Sequence, residues 1–168
     1  MAIVGAAAPA AAEDGWHSYS TPQNIGSFEA PCEPDTVEAK TTATYDRWMC
    51  TSGGLNYVSG VVPISQLARD DFTDEQAANY TFAELEADAE ADPETTGFLA
   101  VEYGGFPAFY AASAPDLLVQ RILIMDLGNG RVLMMLAASD DVIEGTGAAQ
   151  ALGESAEQFL ISFKVTPQ

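Results

Sequence analysis

The residues with the clearest potential chemistry are the two cysteines, Cys32 and Cys50, in the stretch FEAPCEPDTVEAKTTATYDRWMC. Two cysteines in an exported domain usually form a disulfide, whereas in a reducing compartment they stay as buried thiols. We predict the disulfide Cys32–Cys50, which closes a loop of about 18 residues worth roughly 3 kcal/mol in the chain-entropy model. In a simple hairpin the two cysteines would lie at opposite ends, so the intervening segment has to fold back.

Other candidate nucleophiles and metal ligands lack the partners that their chemistry needs. His17 is the only histidine, so neither a histidine-rich metal site nor a catalytic triad has its usual set of residues. Ser113, Ser139 and Ser155 do not lie in the G-x-S-x-G context of a nucleophile elbow. We therefore predict no catalytic, metal-binding or cofactor-binding residue.

An acidic run, ELEADAEADPE, offers oxygen ligands for calcium. Asp88, Glu90 and Asp92 have the spacing of the first ligands of an EF-hand loop, but Pro93 and Leu99 replace its required glycine and glutamate. Because the run also lies on a predicted helix, we interpret it as a solvated helix face. A small secreted hydrolase that uses acidic residues, with or without calcium, is the alternative function.

The overall charge restricts the class of partner. Six Lys and Arg residues stand against 25 Asp and Glu residues, which gives a net charge of −19 at pH 7. A nucleic-acid-binding surface and a surface that docks on anionic lipid both need excess positive charge, so neither is expected. The expected partner is a protein or a small molecule, and the acidic surface keeps the protein soluble or attracts a basic partner or a cation.

The N-terminal stretch MAIVGAAAPAAAEDGW has the composition of the end of a secretory signal peptide. Residues Ala2–Ala12 are mostly small and apolar, and both APA and AAA fit the small-x-small cleavage pattern, although a basic leading region is missing. We predict that residues 1–13 are a signal-peptide remnant or a disordered tail, and that residues 14–168 form one domain. The predicted location is periplasmic or secreted.

Apolar runs separated by turn residues predict six or seven strands. Glycine-rich turns, TSGG, GGFP and GNG, connect several of them into hairpins. The runs LLVQRILIM and RVLMMLAA are apolar on both faces, which is typical of strands that are covered on both sides. The predicted strands are Ser27–Pro31, Thr41–Cys50, Leu55–Ile64, Phe98–Tyr103, Ala108–Ser113, Leu117–Leu127 and Arg131–Ser139.

Two amphipathic helices are predicted. The first ends at Pro93, and it begins at either of two capping boxes, TDEQ from Thr73 or TFAE from Thr81. The second runs over Thr146–Ser162. Its apolar stripe consists of Leu152, Ala156, Phe159, Leu160 and Phe163.

Together these elements predict an α+β domain with a mostly antiparallel sheet covered by helices on both faces, an α/β/α sandwich. The most apolar strands should form the sheet core, and the stripe of the last helix should pack on it. The core residues expected in this layer are Ile122, Ile124, Leu133, Met135, Phe159, Leu160 and Phe163.

The order of elements resembles the PsbP-like fold. Four stretches carry the resemblance over about Trp16 to Val165: FEAPCEP after Trp16 and Tyr19, GGFPAFYA, RILIMDLGNGRVLMML and AEQFLISFKV. The superfamily includes many bacterial cell-envelope proteins, and the resemblance implies a small exported domain without a known catalytic centre. We therefore expect an exported, non-catalytic accessory or binding domain of the bacterial cell envelope. Its strong acidity differs from several members, so no partner is carried over.

We expect intact-mass spectrometry of the exported protein to show a mature chain that begins after about Glu13, because the alanine-rich run ends in small-x-small sites. A mature form that keeps Ala2–Ala12 packed in an ordered element would contradict this expectation.

Overall fold

A computed structural model describes residues 15–113, 118–141, 143 and 145–167, and it confirms an α+β fold around a large antiparallel sheet. The predicted remnant, residues 1–13, and the predicted strand start at Leu117 lie outside the described residues. The described strands are β1 (His17–Ser20), β2 (Gly26–Ala30), β3 (Glu38–Thr41), β4 (Asp46–Ser52), β5 (Leu55–Pro63), β6 (Thr95–Tyr103), β7 (Phe106–Ser113), β8 (Gln120–Gly128), β9 (Arg131–Ser139) and β10 (Lys164–Val165). The α-helices are α1 (Asp74–Ala78), α2 (Phe82–Ala91) and α3 (Thr146–Ile161).

The strands form two antiparallel sheets. The large sheet has seven strands in the order β3-β4-β5-β9-β8-β7-β6, and the small sheet has three strands in the order β1-β2-β10. The edges of the large sheet are therefore β3 and β6. None of the helices in the described ranges is long and apolar enough to cross a membrane.

The predicted strand Thr41–Cys50 is divided in the structure. Strand β3 ends at Thr41 and strand β4 begins at Asp46, so the threonine-rich stretch between them is a turn. The hydroxyl oxygen of Thr42 accepts a hydrogen bond of 3.1 Å from the backbone N–H of Tyr45. Threonine side chains that bind nearby backbone in this way favour a turn over a continued strand.

Both predicted capping boxes are used, one for each of two successive helices. The Thr73 hydroxyl accepts from the N–H of Gln76 at the start of α1, and the Thr81 hydroxyl accepts from the N–H of Glu84 at the start of α2. In each box the side chain three positions after the threonine, Gln76 or Glu84, accepts a hydrogen bond from the N–H of that threonine. The ambiguity of the sequence is therefore resolved by two short helices instead of one long helix.

Alternate residues of β8 and β9 belong to two different apolar clusters. The first cluster joins Leu123, Met125, Leu133 and Met135 to the buried side chains of α3 and Phe163. The second cluster contains Ile124 and Val132, with Tyr80 and Leu85 from the region of α2. The expected grouping of Leu133 and Met135 with Phe159, Leu160 and Phe163 is present.

The same clusters correct the expectation for Ile122 and Ile124. Both side chains lie with the second cluster, on the opposite side of β8 from the residues that contact α3. The reason is the two-residue period of a strand, which turns successive side chains to opposite faces. Leu123 and Met125 take the places beside α3 that had been expected for the isoleucines.

An aromatic contact joins the two sheets to α3. The ring of Phe28 in β2 lies 4.7 Å from the ring of Trp48 in β4 and 5.3 Å from the ring of Phe159 in α3. Tyr57 in β5 also contacts Phe159, at 5.2 Å between ring centroids. Such edge-to-face pairs add to the free energy that burial of the rings contributes.

We predict that Phe159→Ala lowers the free energy of unfolding by about 3–5 kcal/mol, because a fully buried aromatic ring is removed. Phe159 is 0% exposed, whereas Ile161 in the same helix is 76% exposed and serves as the control. Ile161→Ala should change the free energy by no more than about 0.5 kcal/mol in urea unfolding. A loss below about 1 kcal/mol for Phe159→Ala would contradict the packing described for α3.

Candidate functional site

The structure places Cys32 and Cys50 at disulfide distance, with their Cα atoms 6.3 Å apart. Cys32 follows β2 in the small sheet, and Cys50 lies in β4 of the large sheet, so the bond connects the two sheets. The segment between them folds back through a 3₁₀ turn at Pro34–Thr36 and the strand β3, which satisfies the geometric requirement noted from the sequence. Tyr19 donates its hydroxyl hydrogen to the carbonyl oxygen of Cys32.

The structure does not bring His17 together with the serines. The Nε2 atom of His17 lies 3.6 Å from a carboxylate oxygen of Glu33 at the surface. Ser139 accepts a hydrogen bond from the N–H of Val119, and Ser113 donates to the side chain of Gln120. Within the described ranges, no hydrogen bond connects His17 to Ser113, Ser139 or Ser155.

The acidic run is used in local structure around α2. Asp88 accepts a hydrogen bond of 2.7 Å from the hydroxyl of Tyr80, and Asp92 accepts one of 2.8 Å from the N–H of Glu94. Burial raises the pKa of Tyr80, and its hydrogen bond to Asp88 raises that pKa further. Among the described residues, no three His, Cys, Asp or Glu side chains are grouped so that they could hold a metal ion.

The best candidate for a binding site is an apolar groove of about 300 Å³ between α3 and the strands at one edge of the large sheet. We call it the α3–β6 groove. It is lined by Leu99, Val101, Tyr103, Tyr110, Leu123, Glu157, Leu160 and Ile161.

The floor of the α3–β6 groove is set by the register of the sheet. Leu99 in β6 is paired with Tyr110 in β7, which is paired with Leu123 in β8. Val101 and Tyr103 follow Leu99 at intervals of two residues, so they share its side of β6. The floor is therefore one continuous apolar strip across the edge of the sheet.

The two large hydrophobic side chains that are exposed in the described part of the chain both line this groove. Leu99 is 59% exposed and Ile161 is 76% exposed. They lie on different elements, β6 and α3, so the fold and not the local sequence brings them together. An exposed apolar patch of this kind, bordered by polar residues, is typical of an interaction site.

The groove exists because the layer formed by α3 and the small sheet does not fully cover the β6 edge of the large sheet. Helix α3 lies over β5, β9 and β8, while the small sheet reaches β4 through the contact of Phe28 with Trp48. On this side of the sheet, strands β7 and β6 lie beyond α3. In the part of this edge that lines the groove, Val101, Tyr103 and Tyr110 are consequently half-buried and Leu99 is exposed, whereas Ala108 of β7 is buried in the first cluster.

One end of the groove is polar. Glu157 lies 3.9 Å from Nε of Arg121, and the Tyr110 hydroxyl donates to the same carboxylate oxygen at 3.4 Å. Burial raises the pKa of the Tyr110 hydroxyl, while the nearby Arg121 lowers it. Gly153 leaves room for this arrangement, since a Cβ atom there would lie 3.2 Å from Nη2 of Arg121.

The sequence reading did not identify Leu99 or Ile161 as binding residues. Ile161 lies outside the apolar stripe that explains the burial of α3, and this is the signal that could have identified it. Leu99 had no comparable signal, because its exposure depends on which strand forms the edge of the sheet. That position is decided by strand pairing and not by the residues around Leu99.

We predict no free thiol in protein purified from an oxidising compartment and denatured without reductant, because both cysteines are in the disulfide. The double variant Cys32→Ala, Cys50→Ala should lose roughly 3 kcal/mol of unfolding free energy, since the unfolded chain is no longer crosslinked. Reduced wild-type protein, measured in the same urea titration, is the matched control. Two free thiols in the oxidised preparation would contradict the disulfide.

No protein-family model matches the sequence, and the search of curated proteins gives no match. Among solved structures, the chain is similar to the Ran-binding protein Mog1p of Saccharomyces cerevisiae, with 11% identity and a TM-score of 0.43 over 89% of this chain and 95% of that one. A Bacteroides thetaiotaomicron protein has 8% identity and a TM-score of 0.44 over 90% of this chain and 48% of its own. A Pseudomonas aeruginosa protein of unknown function has 13% identity and a TM-score of 0.41 over 91% and 97%. At these values the similarity carries nothing about activity or partners.

Proposed function

We propose that this chain is an exported, non-catalytic accessory domain of the bacterial cell envelope that binds a partner in the α3–β6 groove. The observation that carries the proposal is the placement of Leu99 and Ile161, the two exposed large hydrophobic side chains of the described residues, in the floor and the side wall of one groove. The PsbP-like α/β/α sandwich, with helices on both faces of the sheet, is part of the same proposal.

The energetics of the groove support binding. Complete burial of one leucine or isoleucine side chain contributes about 1.5–3 kcal/mol relative to exposure. Leu99 and Ile161 already have more than half of their side-chain surface in water, so a partner gains most of that contribution when it covers them. The half-buried floor residues add to it without a rearrangement of the sheet.

Export is supported by two features. The Cys32–Cys50 pair at disulfide distance is compatible with an oxidising compartment. The alanine-rich stretch before Glu13 has the cleavage pattern of a signal peptide.

The net charge of −19 favours partners other than nucleic acids and anionic membranes.

Site-specific photocrosslinking in the source bacterium tests the proposal. A photoreactive amino acid at position 99 or 161 should give a discrete crosslinked product, and the periplasmic or secreted fraction should contain it. The control position is Gln66, which is exposed in a 3₁₀ helix whose buried residue Ile64 belongs to the second cluster. Equal products at positions 66 and 161, no product at 99 and 161, or a strictly cytoplasmic protein would overturn the proposal.

A further inference from the structure

We infer that the occupant of the α3–β6 groove is a basic amphipathic helix of a partner protein, which lies beside α3 over strands β7 and β6. This inference rests on the proposed function and specifies the chemistry of the partner. Three observations carry it: the width of the uncovered sheet, the placement of apolar side chains and the charge of the groove walls.

The width of the uncovered sheet matches one helix. Helix α3 lies over β5, β9 and β8, and on its side of the sheet Tyr110 of β7 and Leu99 and Val101 of β6 lie beyond it with exposed or half-buried side chains, while Ala108 of β7 is buried. Neighbouring strands are about 4.8 Å apart, so two strands present a strip roughly 10 Å wide. A helix with its side chains is about 10–12 Å in diameter, and packed helices lie about 8–10 Å apart.

The apolar residues are placed as a helix would need them. Leu99, Val101 and Tyr110 form a floor beneath the position that the partner helix would take, and Leu160 and Ile161 form a side wall. A helix with apolar residues at i, i+3, i+4 and i+7 presents a stripe wide enough to contact both floor and wall. Strand β6 has nine residues, about 30 Å, which sets an upper limit of roughly 20 residues for the helix, because Tyr103 at the end of the strand already contacts Phe163.

The charged residue that lines the groove is a carboxylate, Glu157 on α3. Helix α3 contains Glu154 and Glu157 and no Lys or Arg, and β6 contributes no charged side chain to the groove, because Glu102 lies on the opposite face of the strand from Val101 and Tyr103. The nearby cation, Arg121, is directed at Glu157, and its side chain is only 20% exposed. A partner helix therefore meets Glu157 and, one turn earlier on α3, Glu154, and basic residues beside its apolar stripe complement these two carboxylates.

Charge also argues against three other occupants. A second copy of the chain would bring a further net charge of −19 to the same surface. Residues 1–14 of this chain contain Glu13 and Asp14 and no Lys or Arg, so they have the wrong sign for the groove. A small apolar molecule would cover the floor but leave the carboxylates of Glu154 and Glu157 on α3 without a basic partner.

The inference can be tested on the full chain with synthetic peptides of about 18 residues. The probe has leucines at i, i+3, i+4 and i+7 and lysines at the other positions. One control peptide keeps the leucine stripe and replaces lysine by glutamate, and a second control has the composition of the probe in shuffled order. The neutral dye Nile red reports apolar binding without charge, and isothermal titration calorimetry gives the peptide affinities.

We expect only the basic amphipathic peptide to bind, and we expect added salt to weaken it. Leu99→Lys and Ile161→Lys should each weaken binding at least about tenfold, because each places a charge in the apolar contact. Gln66→Lys adds the same charge away from the groove and should have little effect. Glu154→Gln combined with Glu157→Gln should weaken binding a few-fold and reduce its salt dependence.

Several outcomes would overturn the inference. Equal binding of the shuffled peptide, or equal weakening by Gln66→Lys and Ile161→Lys, would show general attraction to an acidic surface. Equal binding of the glutamate peptide would remove the requirement for a basic partner, and so would Nile red binding at Leu99 and Ile161 with no peptide binding. Both of those results leave the proposed function in place. Failure of all peptides and of Nile red would overturn the proposed function as well.

Two measurements on the free protein distinguish the other occupants. Nuclear Overhauser contacts between the methyl groups of Ile161 and those of Ile3 or Val4 would assign the groove to the chain's own N-terminal segment. A dimer in analytical ultracentrifugation that Ile161→Lys abolishes would assign it to a second copy. We expect neither result, and either one would overturn the inference.

Discussion

The contact of Phe28 with Trp48 and Phe159 is the interaction on which the rest of the structure depends. A small sheet with strands of four, five and two residues is too short to be stable alone. It is held by the buried ring of Phe28 and by the crosslink between Cys32 and Cys50, whose second cysteine lies two residues after Trp48 in β4. The same ring fixes α3 through Phe159, so the position of the groove wall follows from this junction.

Elements specified by local chemistry could be predicted from the sequence. The capping boxes at Thr73 and Thr81 satisfy their own helix ends, and the structure contains both. The long hairpin of β8 and β9 and the helix α3 also follow from strong apolar patterns and a glycine turn. Strands β1, β3 and β10 could not be predicted, because they are short and their pairing depends on distant parts of the chain.

The two faces of β8 show a different limit. Ile122, Leu123, Ile124 and Met125 are all apolar, so the sequence contains no polar residue that marks one face as the side toward α3. Only the register with β9 and the position of α3 separate Leu123 from Ile124. The α3–β6 groove has the same origin in part, since Leu99 resembles a core residue in the sequence and is exposed because α3 does not cover β6 at that point, whereas Ile161 is exposed because it lies outside the buried stripe of α3.

Acidic charge and an apolar groove can act at different stages of one binding event. Attraction between charges extends over about 10 Å at 0.1 M salt, so a net charge of −19 affects the rate at which a basic partner approaches. Apolar contacts act only when the two surfaces touch, so Leu99 and Ile161 affect how long the partner stays bound.

A groove of this kind needs a wall that does not move when the groove is empty. The buried ring of Phe159, fixed between Phe28 and Tyr57, holds α3 in that position.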